Sequence, residues 1–83
     1  MREKFQKELN KLLIATKKMG GCAIEIRADY LYSRVEGYIC DSRKMFICAN
    51  VLKENMQEGD EILTDPPDND GRFLEVRFHI PRR

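Results

Sequence analysis

Cys22-Ala23-Ile24-Glu25-Ile26-Arg27-Ala28 alternates apolar and polar residues with a period of two, the pattern of a strand that buries one face. A second stretch, Arg72 to Ile80, sets Leu74, Val76, Phe78 and Ile80 on one side, and Pro81 ends it. Laid antiparallel with paired numbers summing to 102, the two put Ile24 opposite Phe78 and Ile26 opposite Val76. The same register sets Glu25 opposite Arg77 and Arg27 opposite Glu75, so the apolar side chains gather on one face and opposite charges meet on the other. The first and last strands are therefore expected to be neighbours.

Working outward, residues 3 to 19 form an amphipathic helix. Phe5, Leu9, Leu12, Leu13 and Met19 share one face, Lys4, Lys7, Lys11 and Lys18 lie opposite, and Gly20-Gly21 supplies a stop. A strand is expected from about Leu31 to Cys40, reached by a short connection at Asp29-Tyr30. It carries Leu31, Val35 and Ile39 on one face and Tyr30, Tyr32, Arg34, Glu36 and Tyr38 on the other. This hairpin would also set Glu25 opposite Arg34. Residues 42 to 57 favour a helix, with Met45, Ala49, Leu52 and Met56 as its stripe, Asp41 or Ser42 as N-cap and Gly59 past its end. A hairpin turning at Asp41-Ser42-Arg43-Lys44 is the alternative. Glu61 to Thr64 reads as a short strand and residues 65 to 71 as a loop.

The expected fold is α+β with the order α-β-β-α-β-β, a four-stranded antiparallel sheet of order 2-1-4-3 and both helices on one face. A small β-barrel with an N-terminal helix is the alternative. With 83 residues the chain has room for one modest core, and residues 1–83 are read as a single domain. The longest uninterrupted apolar run, Met45 to Ala49, is far short of the roughly 20 residues a spanning helix needs. The first residues are charged and lack a cleavable apolar segment, so the chain is read as full length and cytoplasmic.

Several chemistries lack their residues. Three cysteines, Cys22, Cys40 and Cys48, are an odd number with no metal-ligand spacing, and they read as reduced, mostly buried thiols. Cys40 and the single histidine, His79, form the one thiol–imidazole pair that strand alternation allows, near opposite ends of their strands. If Gly71 took the sixth position of a calcium loop, Pro66 and Arg77 would stand where acids are required. No phosphate-cradling glycine motif occurs. No enzyme, cofactor, metal or small-molecule site is expected.

Two binding surfaces remain. The outer sheet face would present Tyr30, Tyr32, Tyr38 and Phe73 as anchors with Arg34 and Arg77 at the margin. Its charges cancel, which removes the counterion release that drives phosphate binding, so a protein partner or a second copy of the chain is the leading expectation. Small proteins of this kind are often accessory or regulatory, including those of phages and mobile elements. The competing expectation is a nucleic-acid binder using Lys4, Lys7, Lys11 and Lys18 together with Arg82 and Arg83. Residues 1 to 18 hold six basic and two acidic residues, whereas residues 54 to 70 hold seven acidic and none basic. The lysines are accordingly expected within reach of that acidic stretch, in the same molecule or a partner copy.

Overall fold

The computed structural model describes residues 2–37, 41–65 and 71–80. Strand β1 (Ala23–Arg27) pairs antiparallel with β3 (Glu75–His79) in the register with sum 102, Ile24 opposite Phe78 and Ile26 opposite Val76. β2 (Glu61–Thr64) pairs with the other edge of β3 through an irregularity between Ile62 and Thr64, giving the order β1-β3-β2. Ile26, Val76, Phe78 and the adjoining Leu74 are fully buried, while Glu25, Arg27 and His79 stay exposed on the opposite face.

The ladder runs past the strand ends. Ile80 N–H donates to Cys22 O at 2.9 Å, and at the far end Ala28 N–H donates to Leu74 O at 2.8 Å and Asp29 N–H to Arg72 O at 3.0 Å. Ala28 and Asp29 are already the first two residues of a helix, α2 (Ala28–Glu36). The first N–H groups of a helix have no partner within it. Here the segment leading into β3 supplies two carbonyls, so β1 passes into α2 without a loop or a side-chain cap.

This overturns the strand expected from Leu31 to Cys40. Leu31 and Val35 are four residues apart and suit either period, but Ala28, Leu31, Tyr32 and Val35 follow helical spacing and all turn inward. Ser33 and Gly37 would have broken the apolar face of a strand. The helix closes at Gly37, whose φ of 81° and N–H bond to Ser33 O at 3.0 Å suit a glycine C-cap. Residues 38–40, the end of that expected strand, lie outside the described residues. The expected pairing of Glu25 with Arg34 falls with it.

α1 (Arg2–Lys18) buries Phe5 and Leu9, with Leu12 and Leu13 packed against the core. Met19, assigned to the same face by periodicity, is 87% exposed because the helix has ended before it. The chain turns back at Gly20, with φ of 78°, and Gly21 passes so close to Thr16 that a Cβ there would sit 2.8 Å from its Cγ2. α3 (Ser42–Glu54) is helical as favoured, which removes the hairpin alternative. Asp41 caps it, its Oδ1 accepting from Arg43 N–H at 2.9 Å and Lys44 N–H at 3.3 Å. It stops earlier than residue 57 because Asn55 folds back, its side chain donating to Val51 O at 2.8 Å and to Gln6 Oε1 at 2.8 Å.

The result is an α+β domain of three helices and an open three-stranded antiparallel sheet. β1 and β2 are unpaired edges, so the barrel alternative does not hold. Replacing Asp41 with Ala should lower stability by about 1 kcal/mol through loss of the cap. In urea unfolding the midpoint falls with an unchanged slope, whereas Asp41→Asn, which keeps the acceptor, should move it far less.

Candidate functional site

The four aromatic anchors expected on one sheet face are not brought together. Tyr30 and Tyr32 belong to α2, Phe73 precedes β3, and Tyr38 lies outside the described residues. Tyr32 is only 3% exposed: its ring stacks on Phe5 at 6.0 Å between centroids, and its hydroxyl accepts the Asp41 N–H at 2.9 Å. It is a core residue joining α1, α2 and the start of α3. The misreading of residues 31–40 as a strand is what placed it on the surface.

Tyr30 remains exposed and carries the Arg34 guanidinium over its ring at 5.6 Å. Arg34 Nη1 also donates to the Tyr30 hydroxyl at 3.2 Å, and its Nε donates to Glu8 Oε2 at 2.7 Å. The Glu8 bond, helped by Tyr30, holds this guanidinium even further above the neutral range than usual. Phe73, half-exposed, is covered in the same manner by Arg27 at 5.8 Å, and Arg27 is tied to Asp29 at 2.7 Å. Tyr30 and Phe73 therefore each already have a cation over the ring, and that cation already has a carboxylate; Phe46 on α3, which is exposed, has no such cation among the described residues.

The outer sheet face is a set of internal ion pairs, as the register implied. Arg77 donates to Glu25 Oε2 through Nη2 at 2.7 Å and Nε at 3.0 Å, with Glu61 at 4.0 Å on its other side. Hydrogen bonding to Glu25 raises the Arg77 pKa above its ordinary value. Arg77 thus holds three strands together.

The competing set has a different geometry. Lys4, Lys7, Lys11 and Lys18 are all exposed on α1, opposite its buried face, and Lys17 is exposed beside them. Among the described residues none of these lysines has an ion pair. Among the described residues of the acidic stretch none pairs with them, and Asp68 and Asp70 lie outside the described residues. Glu54 pairs with Arg2, Asp65 with Lys53 at 3.3 Å and Glu61 with Arg77, while Asp60 accepts from the backbone N–H groups of Gln57 and His79, both at 2.8 Å. For Glu54, Asp60, Glu61 and Asp65 these partners stand in place of the expected contact with the lysine stripe. Arg82 and Arg83 lie outside the described residues.

Chemistry at sulfur is limited by burial. Cys48 is fully buried, with its thiol donating to Ala28 O at 3.4 Å, and desolvation pushes its pKa up to about 12, with Asp29 adding to the shift. Such a thiol is neither nucleophile nor metal ligand near neutral pH. Cys22 is free and exposed, and Cys40, the proposed partner of His79, lies outside the described residues. Among the described residues no cluster of three His, Cys, Asp or Glu side chains could hold a metal ion, and no helix is long and apolar enough to cross a membrane. A shallow groove of about 350 Å³ runs beside α1, with Leu13, Ile14 and Lys17 on one wall and Asn55, Gln57 and Ile80 on the other. No family model, curated protein or solved structure matches this chain.

Lysine spacing was therefore legible, whereas the Arg34–Glu8 and Phe5–Tyr32 contacts between α1 and α2 were not. The helical spacing of Ala28, Leu31, Tyr32 and Val35 was the signal that could have revealed them. Cys48 also yields a pH prediction. Its folded pKa lies above the unfolded value, so its contribution is intact below about pH 8.5 and is lost as pH rises toward 12. Urea midpoints measured from pH 8 to 10.5 should fall more steeply in the wild type than in Cys48→Ala, and equal slopes would refute this.

Proposed function

We propose that this protein is a non-enzymatic binding module that engages nucleic acid through the exposed lysine face of α1, with Arg82 and Arg83, outside the described residues, as the further basic residues of the sequence. The observation that supports it is the contrast in how cations are used. Arg2, Arg27, Arg34, Lys44, Lys53 and Arg77 each have a carboxylate, whereas among the described residues the five lysines of α1 have none, and outside α1 Arg43 alone shares that state with them. A row of uncompensated ammonium groups on a rigid helix suits a polyanion, and each phosphate it neutralises releases counterions. The buried, free thiol of Cys48 fits a reducing compartment such as the cytoplasm.

The test is a mobility-shift titration with labelled 20-base-pair DNA and with its separate strands. Binding at about 25 mM salt should weaken steeply by 200 mM, and Lys7→Glu/Lys11→Glu should reduce it at least tenfold at low salt. Absence of any shift at low salt, with either probe, overturns the reading.

A protein partner is the second reading, and one observation favours it. Tyr30 and Phe73 remain 47% and 43% exposed, each beside an arginine, and Phe73 borders a groove of about 260 Å³ reaching Tyr32 and Met45. Tyr and Arg are enriched where interfaces concentrate their energy. Light scattering on the purified chain and on Tyr30→Ala/Phe73→Ala examines the self-association form of this reading. A dimer that the double variant converts to monomer supports it, and a monomer in both cases removes it.

A further inference from the structure

From the geometry of α1 and its neighbours we infer that the lysine face grips the phosphate backbone of a nucleic-acid duplex and does so without reading its sequence. This rests on the nucleic-acid reading above and narrows it to one form of ligand and one mode of contact.

The lysines are arranged as a line. At 100° per residue, Lys4, Lys7, Lys11 and Lys18 fall within about 60° of arc, and the rise of the helix spreads them over about 21 Å. A duplex presents one negative charge per roughly 1.7 Å of axis at fixed spacing, which a rigid row of cations can match. A single strand has lower charge density, and its tight binding relies on aromatic rings that stack on bases. Among the described residues α1 itself offers no such ring: Phe5, its one aromatic residue, is fully buried, and Tyr30 of α2 lies under Arg34.

The side chains that read base edges are committed elsewhere. Adenine is read through both ends of a Gln or Asn carboxamide and guanine through a guanidinium fork. Gln6 Nε2 donates to Asn10 Oδ1 at 2.9 Å and to Asn55 Oδ1 at 3.0 Å, and its oxygen accepts from Asn55. On either side of the helix, Arg2 is held by Glu54 and Arg34 by Glu8. What the exposed arc offers is ammonium groups, with Ile14 and Ala15 along its edges and one carboxylate, Glu3, beside Lys7. Ammonium groups on flexible stems contact phosphates as point charges and carry little sequence information.

Fluorescence anisotropy with the full chain decides this. The probes are two 20-base-pair DNA duplexes of unrelated sequence, one RNA duplex and one constituent DNA strand, each at several salt concentrations. The two DNA duplexes should bind within threefold of each other and at least tenfold more tightly than the single strand. The slope of log K against log salt should lie near −3.6 for four contacted phosphates. Lys7→Glu/Lys11→Glu, whose fold is checked by far-UV circular dichroism, should weaken both DNA duplexes by the same factor and flatten the slope. The RNA duplex shows whether both kinds of backbone are accepted: binding within tenfold of DNA supports recognition of duplex charge alone, and complete rejection overturns it. A tenfold preference between the DNA duplexes, or a single strand bound as tightly as they are, overturns the inference while leaving nucleic-acid binding standing. No binding to any probe overturns both.

Discussion

The register between β1 and β3 is the constraint on which the remaining structure depends. It puts Ile26, Val76 and Phe78 into the core and joins Glu25 to Arg77 on the outside, and a slip of one residue would reverse both faces. Its consequence extends beyond the sheet. Because the carbonyls of Leu74 and Arg72 continue the ladder, they receive the first N–H groups of α2 and set the point at which the chain coils. α2 then presents Leu31 and Tyr32 inward, Tyr32 meets Phe5 of α1, and its hydroxyl takes the N–H of Asp41, the residue that caps α3. One strand pairing thereby positions all three helices.

Electrostatics shapes the surface more than it stabilises the fold. Exposed ion pairs such as Arg27–Asp29 and Lys53–Asp65 contribute about 0 to 1 kcal/mol each and weaken with salt. Their larger effect is to divide the cations of a chain with net charge +1 into two groups. Arg27, Arg34, Lys44, Lys53 and Arg77, and Arg2 at the start of α1, each have a carboxylate, and among the described residues the five lysines of α1 and Arg43 of α3 have none. A screening length near 8 Å at physiological ionic strength means that α1 presents its own charge to a close partner, whatever the balance of the whole molecule.

The exposed rings show the opposite economy. Tyr30 and Phe73 each lie beneath a guanidinium that a carboxylate holds in place, an arrangement contributing of order 0.5 to 1 kcal/mol at exposed sites. These clusters join elements that are not consecutive in the chain: Arg34 ties α2 to α1 through Glu8, and Arg27 ties the end of β1 to the approach of β3 through Phe73. Part of what a sequence reading assigns to partner contact is thus already used inside the molecule.

The sequence by itself determined the elements in which local pattern and long-range packing agree. The alternation of residues 22–28 and 72–80 sufficed for the register, because one offset alone satisfied both faces. α1 followed from its apolar stripe and from Gly20 at its end, and α3 was favoured by its stripe and by Asp41 while a hairpin stayed open. The lysine row was legible for the same reason, since an exposed helix face is written at fixed intervals. What only the tertiary structure decided was the state of residues 28–36, where β-branched and aromatic residues suit a strand and the spacing suits a helix. The decision came from Leu74 and Arg72, more than forty positions away in the chain, whose carbonyls satisfy the helix N-terminus, and from Phe5, which gives Tyr32 a buried face to occupy. Local propensity cannot contain that information, because the groups that settle it belong to other parts of the chain.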